Sequence, residues 1–396
     1  MREVLLASSV RTPIGKFGGT LKDWSASDLA VPVVEEVLSR AGLAPELIDG
    51  VIIGNARQAG GGPNVARQIS YRARIPESVP AYTVNKACGS GLKSIILAAQ
   101  EIALGRAEAV VAGGTESMSR VPYLAEGARW GLKMGNVELV DGMYRDGFLD
   151  PLSGQVMGET AETLARQYSI SRDEQDQYAL RSQQRAEAAW VEGRFRAEVL
   201  PLSIKDRKGK MVEFSTDEHV RHGATIESMQ KLPTVFSAGG TITAGNSSGI
   251  TDGAAALLVI SGEFAEAHSV RAQARLIDYE VAGVDPRVMG IGPVPAIKKL
   301  LERRAIALID IDLVELNEAF AAQVLACDRE LGFDPARLNV NGGAIALGHP
   351  IGASGARIMT TLLHELERRK ARLGLATLCI SGGMGIAALV ERIPLS

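Results

Sequence analysis

The 396-residue sequence is poor in cysteine, in aromatic residues and in long apolar runs. It has three cysteines, and no two of them have the spacing of a redox or zinc motif. A small and odd number of cysteines argues against a disulfide framework, so a functional cysteine would act as a free thiol. Aromatic residues make up 5% of the chain, and no basic cluster alternates with them. This argues against nucleic acid as the main partner.

Other patterns that the sequence lacks narrow the class further. No apolar run approaches the roughly 20 residues that a membrane span needs. The apolar start at Met1–Ser9 is too short for a signal peptide, and the chain does not end in the Ser-Lys-Leu peroxisomal signal. We therefore expect a cytoplasmic protein that does not bind membranes. No Walker motif or dinucleotide fingerprint follows a predicted strand, so nucleotide hydrolysis and NAD chemistry have no support. His219 and His222 have a metal-like spacing without a third ligand, and we expect no metal site.

Strand and helix patterns alternate in two separate parts of the chain. The alternation stops near Pro122, and the stretch to about Asn246 is rich in charge, methionine and glycine, with one clear amphipathic helix. After Asp252 the alternation resumes in the same order as before. The predicted strands are 3–10, 49–53, 81–84, 109–112 and 275–281, and the predicted helices include 65–72, 92–104, 172–192 and 294–304. Ser27 and Asp28 are expected to cap the N-terminus of a further helix that runs through Arg40, with Pro32 in its first turn.

Two copies of one α/β unit, related by a pseudo-twofold, are therefore predicted. We expect residues 1–121 with 248–272 to form the first half, 122–247 an inserted loop domain, and 273–396 the second half. Crossover connections through helices predict mainly parallel, buried sheets. Ligands of such units gather at the carboxyl ends of strands, so polar residues that follow strands should meet at one end of the fold.

Several reactive side chains stand at predicted strand ends beside glycines. Cys88 precedes Gly-Ser-Gly and a helix, whose positive N-terminal end favours a thiolate. Cys379 ends an apolar strand, and Asn317 ends another. His349 lies between a glycine and a proline just before a helical pattern, where it could transfer protons. Any one of them could be structural, as Cys327 in an apolar helix is. Together, two thiols and an imidazole predict nucleophilic and acid–base chemistry.

At this point the residues resemble a known family, the thiolases, which comprise acetyl-CoA acetyltransferases and 3-ketoacyl-CoA thiolases. The resemblance covers essentially the whole chain and implies a five-layered αβαβα thiolase fold. It also implies an acyltransferase that condenses acyl-CoA with acetyl-CoA reversibly, or thiolyses 3-ketoacyl-CoA in reverse, through an acyl-cysteine. The motifs that carry it are VNKACGSGL (84–92), GGTESMS (113–119), NEAFA (317–321), NGGAIALGHP (341–350) and CISGGMG (379–385).

The resemblance also implies a role for each catalytic candidate. Cys88 would be the nucleophile with His349 as its base, and Cys379 the second acid and base at the α-carbon. His349 and a water held by Asn317 would form one oxyanion hole. The backbone N–H groups of Cys88 and Ser381 would form a second. The family usually has glycine where Ser381 stands, and a backbone donor survives that difference.

Coenzyme A would be substrate and product, not a permanently bound cofactor. The resemblance implies that it lies along the inserted domain, with a cation near its adenine and phosphates, a hydroxyl on its pantetheine and apolar side chains as walls. The residues implied for these contacts are Arg221 for the phosphates, Ser248 with Ala244 for the pantetheine, and Met157, Phe236, Met289 and Phe320 for the walls.

One departure from the family pattern bears on the substrate. Short-chain biosynthetic members commonly have His-Met where this chain has Val156-Met157. Valine removes a polar group from the acyl end of the pocket, so we expect acyl chains longer than acetoacetyl to be accepted. The segment 131–138 resembles the loop through which tetrameric members join dimers. A homo-oligomer, at least a dimer and by this loop a tetramer, is therefore expected.

Two alternative functions remain open from the sequence. A ketoacyl synthase of the same superfamily would use one cysteine with two histidines, or with a histidine and an asparagine, whereas this chain has a second cysteine at Cys379. A non-catalytic CoA- or lipid-binding member would be expected to have lost Cys88 or His349, and both are present. These residues favour a thiolase of lipid or fatty acid metabolism.

Overall fold

The elements below are numbered in chain order, and the structure, a computed structural model, describes residues 2–205 and 208–394. The strands are β1 (Val4–Arg11), β2 (Gly15–Lys16), β3 (Gly50–Gly54), β4 (Ala81–Val84), β5 (Ala109–Ser117), β6 (Tyr123–Leu124), β7 (Val140–Asp141), β8 (Leu149–Asp150), β9 (Gln155–Val156), β10 (Leu202–Lys205), β11 (Met211–Phe214), β12 (Thr251–Ser261), β13 (Ala272–Gly283), β14 (Leu313–Leu316), β15 (Leu373–Ile380) and β16 (Met384–Arg392). The α-helices are α1 (Ala26–Ala41), α2 (Val65–Arg72), α3 (Ser90–Ala103), α4 (Met157–Gln167), α5 (Arg172–Val191), α6 (Ile226–Gln230), α7 (Gly262–Ala267), α8 (Pro293–Arg304), α9 (Ala321–Leu331), α10 (Ala344–Leu347) and α11 (Ile351–Arg369).

Mostly apolar strands form one large sheet in the order β14-β15-β16-β13-β1-β12-β5-β3-β4, with β2 beside β12. The pair β1 and β13 lies at its centre and runs antiparallel. Going outward, β12, β5 and β3 on one side correspond to β16, β15 and β14 on the other. The sheet is therefore built from two similar halves, as the repeat in the sequence predicts.

The expectation of mainly parallel strands is wrong. Among the described pairings of this sheet, β3 is parallel to β4 and β5, and β14 is parallel to β15, whereas the other pairs are antiparallel. The strands β15 and β16 are joined by a tight turn through Gly382 and Gly383, whose φ angles are 83° and 79°. A hairpin of this kind can only join antiparallel strands.

Helices cover the sheet in three layers. Apolar residues of α1 and α2 pack on one face of the first half, and those of α8 and α9 pack on the outer face of the second half. The helices α3 and α11 lie between the halves, where one apolar cluster joins them to Val110 of β5 and to Leu378 of β15. The order helix, sheet, helix, sheet, helix is the five-layered αβαβα arrangement that the family resemblance implies.

The predicted N-terminal cap of α1, Ser27 or Asp28, is wrong by two to three residues. Its N-cap is Ser25, whose hydroxyl accepts from the Asp28 N–H at 3.1 Å, while the Asp28 carboxylate accepts from the Ser25 N–H at 2.9 Å. This capping box takes Asp28 as its third helical residue and places Pro32 inside the helix, past the first turn. Elsewhere α2 and β4 have the predicted bounds, and α5 ends one residue early. Within the described ranges, no helix is both long and apolar enough to cross a membrane.

Candidate active site

Cys88 lies in the turn between β4 and α3. The preceding Ala87 has a φ of 45°, which is uncommon for a residue with a side chain. The hydroxyl of Ser90 holds this turn, because it accepts from the Lys86 N–H at 2.8 Å and donates to the Ala87 carbonyl at 2.7 Å. Cys88 is half-buried, so its sulfur remains within reach of a substrate.

The second cysteine comes to this turn from the other half of the fold. Cys379 is in β15 and is buried. A Cβ on Gly89 would lie 2.5 Å from Cδ1 of Ile380, so the Cys88 turn packs directly on the residue after Cys379. The backbone N–H of Ser381 acts to lower the pKa of Cys88 and so favours its thiolate form. The geometry therefore brings together Cys88, Cys379 and the donor at Ser381.

His349 is fixed by hydrogen bonds on both its backbone and its ring. Its backbone N–H donates to the Gly249 carbonyl at 3.1 Å. Its Nδ1 lies 2.5 Å from the hydroxyl of Ser354, which itself donates to the Pro350 carbonyl at 2.9 Å. We assign the hydroxyl hydrogen of Ser354 to the Pro350 carbonyl and the ring proton to Nδ1, which then donates to Ser354. Among the described residues the other nitrogen, Nε2, is buried without a partner, and in this tautomer it is a proton acceptor.

The electrostatics leave all three groups uncharged at neutral pH. Burial lowers the pKa of His349 to about 3, and the cations Arg357 and Arg57 act in the same direction. Burial raises the pKa of Cys88, although Arg57 and the N–H of Ser381 oppose it. Burial also raises the pKa of Cys379 well above its ordinary value. The thiolate expected at the helix end is therefore not the resting form, and Cys88 must transfer its proton before it attacks.

Asn317 follows β14 and is fully buried, yet neither its amide nitrogen nor its amide oxygen has a partner. Its backbone N–H donates to the Thr377 carbonyl at 3.0 Å, two residues before Cys379. Buried amides without partners are costly and rare in folded proteins. The free hydrogen-bonding capacity of Asn317 and of His349 Nε2 is suited to a water molecule and a substrate oxygen.

The four predicted apolar wall residues form one cluster with Cys379. The rings of Phe236 and Phe320 meet edge to face at 6.3 Å. Met289 is buried there, and Met157 packs against the same cluster. These side chains surround the buried thiol, and so they can shape the space for an acyl group.

The other three residues predicted to contact coenzyme A, Arg221, Ala244 and Ser248, lie beside this wall. The guanidinium of Arg221 donates to the Ala244 carbonyl at 2.7 Å. The backbone N–H of Ser248 donates to the carbonyl of Ala319, next to Phe320, at 2.9 Å. Ala244 is exposed and Ser248 is half-buried, so a ligand can reach both.

The sequence reasoning missed a carboxylate that joins the two halves behind the site. Glu116 is fully buried at the end of β5. Its carboxylate accepts from the backbone N–H groups of Ala56 and Arg57, both at 3.0 Å, and of Gly352 in the first turn of α11 at 2.8 Å. Glu116 thus ties the loop after β3 to the helix that follows His349. Glu116 lies in the GGTESMS motif, and this motif could have identified it from the sequence.

Comparisons with known proteins agree with this geometry. Residues 4–263 match the family described as "Thiolase, N-terminal domain", and residues 270–392 match "Thiolase, C-terminal domain". The chain is 51% identical to the acetyl-CoA acetyltransferase of Cupriavidus necator, over 99% of this chain and 100% of that protein. The crystal structure of the Bacillus anthracis acetyl-CoA acetyltransferase superimposes with a TM-score of 0.97 at 46% identity, covering 99% of both chains.

A second structural neighbour carries a ligand. Human mitochondrial 3-ketoacyl-CoA thiolase in complex with CoA superimposes with a TM-score of 0.95 at 44% identity, covering 99% of this chain and 98% of that chain. Matches over nearly the whole length show that the chain belongs to the thiolase family.

Proposed function

We propose that this thiolase is an acyltransferase that condenses acyl-CoA with acetyl-CoA reversibly through an acyl-Cys88 intermediate. The reverse direction is thiolysis of a 3-ketoacyl-CoA. One observation carries the proposal: the Cys88 turn of the first half packs on Ile380, the residue after Cys379 of the second half. Two thiols and a neutral imidazole are what such a two-step reaction needs.

In the first step, His349 Nε2 takes the proton of Cys88 and the sulfur attacks the thioester carbonyl. The carbonyl oxygen becomes an oxyanion, which the backbone N–H groups of Cys88 and Ser381 hold. When the intermediate collapses, the carbon–sulfur bond to coenzyme A breaks and the leaving thiolate takes the proton back from His349. Loss of one oxyanion donor typically costs about 3–4 kcal/mol of barrier.

In the second step, Cys379 first gives its proton to His349, and the resulting thiolate takes an α-proton from acetyl-CoA. The enolate oxygen is held by His349 and by a water on Asn317, and the α-carbon attacks the acyl carbonyl. The new carbon–carbon bond forms as the bond to Cys88 breaks, and the Cys88 sulfur takes the proton held by His349. In thiolysis, Cys379 gives its proton to the departing enolate, which suits a thiol whose pKa is raised.

The two alternatives have less support. A ketoacyl synthase would not need a second thiol among the wall residues of the pocket, where Cys379 lies. A non-catalytic member would not need a buried histidine with one nitrogen fixed by Ser354 and the other free.

We extend the proposal to substrate contacts and domain organisation. Coenzyme A is substrate and product, and binds along the insertion at residues 122–247. This insertion interrupts the first half (1–121 with 248–272), and the second half comprises 273–396. The polar parts of coenzyme A contact Arg221, Ala244 and Ser248, and its apolar part contacts the four wall residues. This assignment is supported because Arg221, Ala244 and Ser248 lie next to the wall residues.

The insertion also favours the formation of an oligomer. Its segment from 123 to 152 exposes many large apolar side chains, including Trp130 at 85% and Met134 at 103% exposure. Surfaces of this kind mark contacts with other chains. We propose a homotetramer in the cytoplasm, acting in fatty acid metabolism; the molar mass from light scattering decides between two and four copies.

A substrate panel tests the activity and the chain-length preference together. Thiolysis of acetoacetyl-CoA and of 3-ketohexanoyl-CoA should both occur, and the longer substrate should react at a comparable or higher rate. Val156 precedes the wall residue Met157, so Val156→His should lower the rate for the longer chain selectively. Turnover of neither substrate contradicts the proposed function. A strict preference for acetoacetyl-CoA contradicts the longer pocket alone.

A further inference from the structure

Arg57 is a cation at the active site that the reaction described above does not use. It follows Ala56, which packs in one apolar cluster with Cys88 and Phe148. Its guanidinium lies against Gly147, where a Cβ would come within 2.2 Å of Nη2. Gly147 in turn precedes Phe148. Arg57 is therefore the neighbour in sequence of one residue of the cluster that contains Cys88. It also contacts Gly147, the neighbour in sequence of another.

The guanidinium of Arg57 has no acceptor. Among residues 2–205 and 208–394, none accepts a hydrogen bond from it or forms an ion pair with it, and its Nε is buried without a partner. The nearest carboxylate, Glu116, is occupied by backbone N–H groups, including that of Arg57 itself, and by the Asn55 amide at 2.6 Å. A half-buried guanidinium with free donors is costly, and it is a geometry that recognises a carboxylate.

The cation also acts on the reacting groups. It opposes the burial that raises the pKa of Cys88, and it helps to lower the pKa of His349. An influence on both groups requires Arg57 to lie within electrostatic reach of Cys88 and His349. An acyl chain attached to Cys88 can therefore extend towards the guanidinium.

We propose that Arg57 binds a carboxylate at the far end of the acyl chain, so that the preferred substrates are 3-ketoacyl-CoA thioesters ending in a carboxylate. This rests on the proposed thiolase function and names its substrate class. In thiolysis, the Cys88 sulfur bonds to the keto carbon while the bond to the α-carbon breaks. The electron pair of the broken carbon–carbon bond stays with the α-carbon, which leaves as the acetyl-CoA enolate. This enolate then takes a proton from Cys379. Coenzyme A then displaces Cys88 and releases the acyl-CoA with its terminal carboxylate unchanged.

The test compares kcat/KM for thiolysis of paired substrates of equal length, one ending in a carboxylate and the other in its methyl ester, with six and with eight carbons in the acyl chain. We expect the carboxylate to be favoured by about tenfold or more at one of these lengths. Arg57→Gln should remove most of this ratio, and Arg57→Lys should restore part of it, because lysine keeps the charge without the fork. The ratio cancels any common effect of the charge on Cys88.

Arg145→Gln is the matched control, since Arg145 lies two residues before Gly147, which Arg57 contacts, but is exposed and paired with Glu126. It should leave the ratio within about twofold of the unmodified enzyme. Equal rates for carboxylate and ester, or an Arg57→Gln variant that slows both to the same extent, would overturn the proposal while leaving the thiolase function intact. Absence of thiolysis with every substrate, acetoacetyl-CoA included, would instead refute the function on which it rests.

Discussion

At the scale of single residues, the free nitrogen of His349 determines which way a proton can move. Ser354 fixes the proton on Nδ1, and burial keeps the ring neutral. Nε2 is then a ready acceptor, and a buried thiol such as Cys88 can give up its proton only to a group of this kind. The reactivity of Cys88 therefore depends on a transfer between two neutral groups, not on a preformed thiolate.

The pH profile should show this. A histidine is active as a base in its neutral form, and the pKa of His349 is lowered to about 3. Protonation of the free enzyme therefore removes the base only far below neutrality, and kcat/KM for acetoacetyl-CoA thiolysis should change less than about threefold between pH 5 and 8. The measurement is kcat/KM across this range. An acid limb with an apparent pKa near 6.5 would show that the histidine titrates as an ordinary one.

Single residues also show where the sequence is informative and where it is silent. Cys88, Cys379, Asn317 and His349 could be selected because strand ends, glycines and reactive side chains coincide in the sequence. Arg57 could not, because no motif contains it and its importance lies in a missing partner. A missing hydrogen bond is a property of the packed structure, so only the folded chain reveals it.

At the scale of elements, one carboxylate joins the segments that carry Asn317 and His349. Glu318 is buried, and it accepts from the Tyr178 hydroxyl at 2.8 Å, the Ser182 hydroxyl at 2.6 Å, the Asn339 amide at 3.0 Å and the Ile345 N–H at 3.2 Å. These partners belong to α5, to the loop after α9 and to α10. A Cβ on Gly343 would lie 2.3 Å from the Glu318 carboxyl carbon, which explains the glycine there.

Glu318→Gln should disturb both stability and one chemical step. The amide nitrogen of glutamine would face donors where the carboxylate accepts, so we expect a loss of about 2–4 kcal/mol in the free energy of unfolding. Asn317 is adjacent, so condensation should slow more than acetylation of Cys88 does. Denaturant unfolding and a comparison of the two half-reactions measure these effects.

The chain provides a matched control in a second glutamate that bonds to a tyrosine. Glu330 accepts from the Tyr168 hydroxyl at 2.9 Å at the surface. Glu330→Gln should change stability by less than about 0.5 kcal/mol and leave both half-reactions as they are. If Glu318→Gln behaved like Glu330→Gln, the buried carboxylate would not position the site.

Element positions were predictable to different degrees. The bounds of α2 and β4 follow from periodicity and from flanking glycine and proline. Strand direction was not predictable, because an alternation of strands and helices predicts parallel neighbours. In the structure, β15 instead pairs with β16 through a hairpin, and β12, which follows the insertion in the chain, pairs antiparallel with β5. The position of Pro32 in α1 was also missed, since the capping box at Ser25 begins the helix earlier than expected.

At the scale of the whole molecule, the doubled fold supplies the site with groups from both halves. The helices α3 and α11 cross so closely that a Cβ on Gly355 would lie 2.2 Å from the Leu92 nitrogen. Each of these helices begins just after a catalytic candidate, Cys88 or His349. Their contact between the two halves of the sheet therefore fixes the distance between Cys88 and His349.

The central claim is that the two thiols have different tasks, and a Cys379→Ser variant tests it most directly. With acetyl-CoA, this variant should still form an acetyl adduct on Cys88, seen by mass spectrometry of the peptide, whereas Cys88→Ser should show none there. Its rate of condensation should fall by about a hundredfold to ten-thousandfold, because the α-carbon has lost its acid and base. Condensation near the unmodified rate in Cys379→Ser, or no adduct on Cys88 in the unmodified enzyme, would contradict the account.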